Sequence, residues 1–556
     1  GLTVSAKFSF DYYYFNEVFR RKPYEVKQYL GTDADGNDQY NVVRREGAMG
    51  YQIVQNSDRA YYYETSMNYQ RMFGNHNITG MMLFNRRDFK NLTAGSSIIN
   101  LPNRRQGWAG RLTYDYSGRY LAEFNFGYNG SENFPKGQRY GFFPSGSIGW
   151  VISNEGFWKT TVVNHLKFRG SYGVVGNDLI GGDRFLYLST VDKNANGYHF
   201  GQGMAWMNGY AEAKMGAANI TWEKSYKANV GLDLELFRGM IVLQGDYFQE
   251  NRRDILLQRG TVPNITGITS ASIPWANVGK VDNHGLDFNL EVRKHTPSGF
   301  YYLLRTNATF AQNKIINDDK AIQRWENLNT IGHPVDQPFG LVALGLFQDD
   351  DDVRNSVPQN LGTAVKPGDI KYKDVNDDGV VNEDDYTAIG YPRTPEIMFG
   401  IGGTIAYKGF EISLQFTGAA RTSTFLDSEG MWPYSLEYPN YNVLREYYDN
   451  RWIPGAPDNS GARYPAVIRG RNTNNYRPNT LYLRNAEYIK LKNAEVAYNF
   501  PKDFLAPRKI GDLRVFVNGN NLLCFDHLKI IDPESNYGTG GYPQQRTLNF
   551  GIQLTY

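Results

Sequence analysis

From Leu2 to Tyr12 the chain alternates without a slip: Leu2, Val4, Ala6, Phe8, Phe10 and Tyr12 fall on one face, Thr3, Ser5, Lys7, Ser9 and Asp11 on the other. Successive side chains of a strand point to opposite sides, so the pattern specifies an extended segment with one greasy and one wet face. It returns in Tyr120, Ala122, Phe124, Phe126 and Tyr128, and in Val230, Leu232, Leu234 and Leu236. Leu286, Phe288, Leu290 and Val292 repeat it, as do Phe410, Ile412, Leu414 and Phe416. The chain has no run of about eighteen apolar residues, which excludes a membrane-spanning helix. Its aromatic load (Tyr 41, Phe 32, Trp 9) and Gly 58 suit strands and tight turns. A mean hydropathy of -0.54 fits a transmembrane barrel, in which only alternate residues meet lipid. It fits a large soluble all-β protein such as a propeller equally well.

The connections separate those two folds. Tight turns at Phe73-Gly74-Asn75, Ser117-Gly118, Phe237-Arg238-Gly239, Pro297-Ser298-Gly299 and Lys408-Gly409 alternate with long polar segments. The long segments cover roughly 16–57, 91–105, 177–219, 256–275, 315–393, 422–478 and 525–545. Short turns on one side and long loops on the other is the topology of an outer-membrane barrel. The count is about sixteen strands, an even number that puts both chain ends on the short-turn, periplasmic side. In the last strand Leu548, Phe550, Ile552, Leu554 and Tyr556 alternate to an aromatic end. Asn549, Gly551, Leu554 and Tyr556 stand at the places of the barrel-assembly signal polar-x-Gly-x-x-apolar-x-aromatic. The expected fold class is all-β, a transmembrane antiparallel β-barrel in the bacterial outer membrane, in contact with its lipid. Phe8, Phe124, Leu232, Phe288, Leu414 and Leu554 are expected to point to that lipid. Gly1-Leu2-Thr3 opens directly into a strand with no signal-peptide pattern, as a mature or truncated chain does.

Charge and chemistry narrow the function. Lys+Arg 59 against Asp+Glu 57 leaves a net charge of +2, which is no footprint for nucleic acid. Cys524 is the single cysteine, so there is no internal disulfide, and it reads as an apolar filler near a strand end. The histidines, such as His76, His165 and His284, are scattered, with no His-x-x-x-His pair and no partnered serine or cysteine nucleophile. No catalytic residue is assigned, and an enzyme is not expected. The acid run Asp349-Asp350-Asp351-Asp352 reads as a solvated loop.

The sharpest motif is Asp374-Val375-Asn376-Asp377-Asp378-Gly379-Val380-Val381-Asn382-Glu383-Asp384-Asp385, which fits the EF-hand loop template with its glycine in sixth place. The expected metal ligands are the side chains of Asp374, Asn376, Asp378, Asn382 and Asp385 and the carbonyl of Val380. Asp385 stands where a bidentate Glu is usual, which weakens the site or shifts it toward smaller ions. Ca²⁺ in a structural role, stiffening the longest loop, is the expectation; Asp/Asn/Gly-rich stretches also make plain turns. Loop aromatics such as Trp206, Trp222, Trp275, Trp325, Trp432, Tyr434, Tyr438, Tyr441 and Trp452 offer flat faces for sugar rings or peptide side chains. Most of them read as girdle or packing residues, and no substrate-binding residue is assigned.

Several ordered segments resemble the SusC/RagA type of TonB-dependent importer. Among them are Gly110-Arg111-Leu112-Thr113-Tyr114-Asp115, Gly141-Phe142-Phe143-Pro144, Gly368-Asp369-Ile370-Lys371-Tyr372-Lys373-Asp374 and Tyr488-Ile489-Lys490-Leu491-Lys492-Asn493. Asp532-Pro533-Glu534 and Gly541-Tyr542-Pro543-Gln544-Gln545-Arg546 follow near the end. The resemblance implies a plugged barrel of about twenty-two strands, of which residues 1–556 supply the barrel portion with its long extracellular loops. It places the plug and the remaining strands outside this chain. It further implies coupling to the TonB complex through the missing N-terminal part, and a SusD-like surface lipoprotein as a lid. The expected function is import of a large nutrient, an oligosaccharide or oligopeptide. The alternative is a passive porin-like channel of about sixteen strands, and a third class is an outer-membrane enzyme or adhesin.

Overall fold

The computed structural model describes residues 1–179, 184–268, 272–427, 430–433, 442–468, 472–534, 542 and 544–555. Sixteen strands form one sheet in which each neighbours the next in the chain. They are β1 (Leu2–Arg21), β2 (Gly50–Phe73), β3 (His76–Asn91), β4 (Asn103–Tyr116), β5 (Tyr120–Ser131), β6 (Tyr140–Val151), β7 (Val163–Asn177) and β8 (Glu223–Leu236). Then follow β9 (Ile241–Gln258), β10 (Trp275–His295), β11 (Tyr301–Asn317), β12 (Ile397–Tyr407), β13 (Phe410–Ala420), β14 (Tyr488–Asn499), β15 (Asp512–Asp526) and β16 (Thr547–Thr555). The count matches the sequence reading. The chain divides into two compact units, one of residues 1–114, 123–145 and 176–222, the other of residues 115–122, 146–175 and 223–556.

In the second unit the ladders carry one face from β8 to β16. Leu232 lies opposite Gly245, Gly245 opposite Phe288, and Phe288 opposite Ala308. Ala308 lies opposite Phe399, which shares its face with Gly403, and Gly403 faces Leu414. Leu414 faces Ala494, Ala494 faces Gly519, and Gly519 faces Leu548. Along β16 the period of two puts Phe550, Ile552 and Leu554 on the side of Leu548. Leu232, Phe288, Leu414 and Leu554 therefore share one face. In the first unit Phe8 faces Tyr63, and Phe124 packs beside Phe126, whose ring stands 5.9 Å from that of Phe142. Phe8 is 62% exposed, Phe124 48%, and Phe288, Leu414 and Leu554 38–41%, while Leu232 is half-buried. Long rows of exposed apolar side chains are what contact with lipid requires.

The short connections follow from local chemistry. Ser117 and Gly118 both take positive φ, 55° and 65°, as do Lys408 and Gly409 at 48° and 88°. At Lys408 and Gly409 that is the backbone of a two-residue hairpin whose twist matches its strands, closing the Tyr407 to Phe410 pair, while Ser117 and Gly118 open the three-residue connection from Tyr116 to Tyr120.

The first long segment departs from expectation. In place of a loop over 16–57, β1 reaches Arg21, β2 begins at Gly50, and Val26–Thr32 pairs with Asp38–Arg44 between them. The run Tyr12-Tyr13-Tyr14-Phe15 puts aromatics on both faces and hides the period of two. The 24 residues of β2 extend roughly 80 Å at about 3.3 Å each, well beyond an apolar band of about 25 Å even when tilted. Residues 177–219 likewise contain a hairpin, Thr190–Phe200 with Ala205–Lys214.

The two longest connections of the second unit, 318–396 and 421–487, fold together around a core of their own. Leu341, Ile370, Val381, Leu426, Tyr447, Tyr464 and Tyr482 are all at most 1% exposed. Short ladders, such as Ala343–Leu346 with Ile370–Tyr372 and Ser423–Phe425 with Leu483–Asn485, brace it. Its polar centre is a set of buried amides. Asn472 and Asn475 both donate to Asp369 Oδ1, at 3.0 and 2.8 Å, and Asn474 donates to the carbonyl of Ile370 at 3.0 Å. Gln359 donates to Asn474 at 2.7 Å and accepts from the Tyr372 backbone at 2.6 Å. Burial pushes the Tyr372 hydroxyl far up, and it donates to the carbonyl of Asn474. Each group left unmade in such a network costs about 1–3 kcal/mol. Asp369→Ala removes the acceptor of two buried amides, so limited proteolysis is expected to cut within 318–396 or 421–487 while the sheet stays resistant. An unchanged cleavage pattern would mean that the amides do not hold the module together.

Candidate functional site

The face opposite the apolar rows is polar and concave in the second unit. A cavity of about 890 Å³ there is lined by Gln244, Asn289, Arg305, Asn307, Gln415, Asn493, Glu495, Asn518 and Asn549, among others. Its side chains are tied to one another. Asn493 donates to Gln415 at 2.8 Å, Asn549 to Asn518 at 3.0 Å, and Arg305 pairs with Glu291 at 2.8 Å. Elsewhere on the polar side of the strands Arg169 forks onto Asp246 at 2.5 and 2.6 Å and reaches Asp233 at 3.2 Å. Donors and acceptors in this density bind water or polar ligands, and none is a nucleophile set beside a base. Period-two alternation puts these positions on the polar side of their strands, but no local signal says that they share a cavity.

At the long-loop end of β14, two of the segments that carry the family resemblance meet. Lys490, 2% exposed at its side chain, pairs with Asp532 and Glu534, both at 2.9 Å. Lys492 pairs with Glu534 at 3.0 Å, and the Tyr488 hydroxyl donates to Glu534 at 3.0 Å. Burial works to raise the Glu534 carboxyl, but hydrogen bonds and charge from the two lysines outweigh it and hold it at about 2. Tyr488-Ile489-Lys490-Leu491-Lys492 and Asp532-Pro533-Glu534 thus form a latch between strand and loop. Of the last quoted segment, Gly541 and Pro543 lie outside the described residues, while Gln544 accepts from Lys490 at 3.4 Å.

The motif Asp374 to Asp385 lies in the loop module. Gly379 takes φ +89°, which its place at the bend demands. Asp374 Oδ2 accepts from the Gly379 backbone at 2.9 Å, and Asn376 Oδ1 accepts from that of Asp378 at 3.0 Å. Asp378 Oδ1 accepts from Val380 at 3.1 Å. Asn382 caps the short helical turn Glu383–Asp385, and Asp385 is fully buried, accepting from Val375 and Asn382 at 2.7 Å each. Val381, anchored in the core, ties the loop to Pro358 and Asn360. Asp374 Oδ1 is buried with no hydrogen-bond partner. Among the described residues no group of three or more His, Cys, Asp or Glu side chains stands as a metal cage, so these carboxylates would need the amide and carbonyl oxygens of Asn376, Asn382 and Val380 to complete one.

Other candidates resolve into structural roles. Asp349 caps the helix Asp350–Asn355, accepting from the Asp352 backbone at 2.7 Å, so the acid run is a helix start and not an open loop. Trp222 is buried against Phe134 and Phe143, at 5.2 Å from each, and Trp452 belongs to the module core. Trp432 packs near Tyr476 and Tyr482, whereas Trp206 is 52% exposed on its hairpin. Trp275 opens β10, and Trp325 precedes a short helical turn. Tyr434, Tyr438 and Tyr441 lie outside the described residues. In β16, Asn549 is bound to Asn518, Leu554 faces Leu513, and a Cβ on Gly551 would stand 2.2 Å from the Phe516 ring, so that ring requires the glycine. Tyr556 lies outside the described residues.

Residues 2–522 match the family described as "TonB dependent receptor-like, beta-barrel". The TonB-dependent receptor P26 of Formosa agariphila is 27% identical over 481 residues, 80% of this chain and 46% of that protein. The TonB-dependent receptor SusC of Bacteroides thetaiotaomicron is 25% identical over 472 residues, 82% and 44% respectively. The chain thus spans about half the length of the curated relatives it matches. Among solved structures, the RagAB peptide transporter superposes over 100% of this chain and 60% of the matched chain, with a TM-score of 0.74 at 19% identity, a likeness of fold. The chain belongs to the TonB-dependent receptor β-barrel family of the bacterial outer membrane, and is of the SusC/RagA type.

Proposed function

We propose that the protein imports a large nutrient, an oligosaccharide or oligopeptide, across the outer membrane, driven by the TonB complex and covered by a SusD-like lipoprotein. The observation that carries this reading is the loop module. Loops of this length are costly to order, and a passive channel has no need of a packed core in them. The strand order, running from β1 to β16, supports a wall completed by about six further strands and a plug from the rest of the protein, as in barrels of about twenty-two strands. The RagAB structure is that of a peptide transporter, which supports the oligopeptide arm.

The same reading gives the Asp374 to Asp385 loop a structural Ca²⁺. The buried, unpartnered Asp374 Oδ1 supports a cation there, held with Asn376, Asp378, Asn382, Asp385 and the Val380 carbonyl, at about 2.3–2.6 Å. Chelation is expected to raise the protease sensitivity of the module, and Asp374→Asn with Asp378→Asn to abolish that Ca²⁺ dependence. Wild-type protein that neither binds Ca²⁺ in calorimetry nor responds to chelator rejects the site.

Solute uptake through the protein is expected to fall to background in cells lacking TonB. Undiminished uptake would mean passive diffusion, and the porin-like alternative would replace the importer.

A further inference from the structure

At its long-loop end the apolar face of the first unit turns cationic. Along β3 the row runs Met82, Phe84, Arg86, Asp88, Lys90, and along β4, in the same direction, Leu112, Gly110, Trp108, Gln106, Arg104. The Phe84 and Trp108 rings stand 4.9 Å apart, and Arg104 pairs with Asp88 at 2.8 Å, so both rows lie on one face. On β2 the facing row is Met67, Thr65, Tyr63, Tyr61, Arg59, with Arg86 opposite Tyr63 and Lys90 opposite Arg59.

Two observations set this patch apart from ordinary solvated surface. Arg59 and Lys90 lie directly opposite in the ladder, an arrangement of like charges that costs stability. Arg59 Nε is also buried with no hydrogen-bond partner. Among the described residues Arg86 and Lys90 form no ion pair, and the patch's carboxylates, Asp88 and Glu132, both attend Arg104. A cleft of about 200 Å³ opens between Arg86, Arg104, Gln106 and Tyr140.

We infer that this patch binds the phosphate groups of a phosphorylated glycolipid in the outer leaflet. The cations continue the rows that meet acyl chains, on the long-loop side, where the outer-leaflet headgroups lie. Guanidinium groups match phosphate in geometry as well as charge. A free anionic solute would have no reason to prefer a site that begins at Phe84 and Trp108, whereas a lipid covers both parts at once.

The test uses full-length protein extracted from outer membranes in mild detergent, with Arg86→Gln and Lys90→Gln combined. Neither residue belongs to the concave polar face or the loop module. Each interfacial Lys or Arg contributes about fivefold to the affinity for an anionic lipid surface, so the double variant is expected to bind the bisphosphorylated glycolipid roughly twenty-five-fold more weakly. The exchange Arg86→Lys with Lys90→Arg should retain it. Added bisphosphorylated glycolipid should raise the Tm of wild type and not that of the double variant, and its dephosphorylated form should do neither. Equal retention by wild type and the double variant overturns the inference. So does equal binding of the dephosphorylated lipid, or displacement by inorganic phosphate alone at the lipid's own concentration.

Discussion

In hydrocarbon no water is present to satisfy a backbone N–H or C=O, and each one left unmade costs several kcal/mol. The structure depends on that constraint. It forces the membrane-spanning backbone into continuous antiparallel ladders, and the ladders force a register. Because side chains alternate, a slip of one residue would turn a whole row from lipid to the polar side. The cross-strand pairs from Leu232 to Leu548 are the residue-level form of this requirement. Polar groups gather on the other face, where Arg169, Asp233 and Asp246 satisfy one another.

Beyond the ladders the chain changes its means of support. The module of 318–396 and 421–487 has too little regular structure to be held by strand pairing, and relies on a buried apolar cluster with amides at its centre. Asp369 is the hub: it meets two asparagine side chains from a segment more than a hundred residues away. The Lys490 latch applies the same logic with charges, fixing the loop after β15 to the inner side of β14. At both places a buried polar group of one segment is held by partners from a distant one.

The strands, their number and the tight turns are legible in the sequence because period-two alternation and paired positive-φ positions are local signals. Phe8, Phe288 and Leu414 can each be assigned to the apolar side of its own strand from sequence spacing alone. The extent of β1 and β2 is not legible, since aromatics on both faces of Tyr12-Tyr13-Tyr14-Phe15 erase the period. The module is hidden for a different reason. Its core residues, such as Leu341, Leu426 and Tyr464, are isolated in polar sequence with no repeat, and Asn472 to Asn479 looks like a solvated loop until its distant partners are known. Two of the segments that carry the family resemblance prove to be points where such partners meet. Asp369 and Lys490 stand in them, and nothing in their local sequence says what they contact.

Accessibility scanning of β16 in native membranes, one cysteine at a time at Leu548, Asn549, Phe550, Ile552 and Gln553 in a Cys524→Ser background, reads this register directly. Spin labels at Leu548, Phe550 and Ile552 are expected to relax with lipid-dissolved oxygen, and labels at Asn549 and Gln553 with a water-soluble paramagnetic reagent. An inverted pattern, or no alternation, would contradict the single register on which the assignment of lipid and polar faces rests.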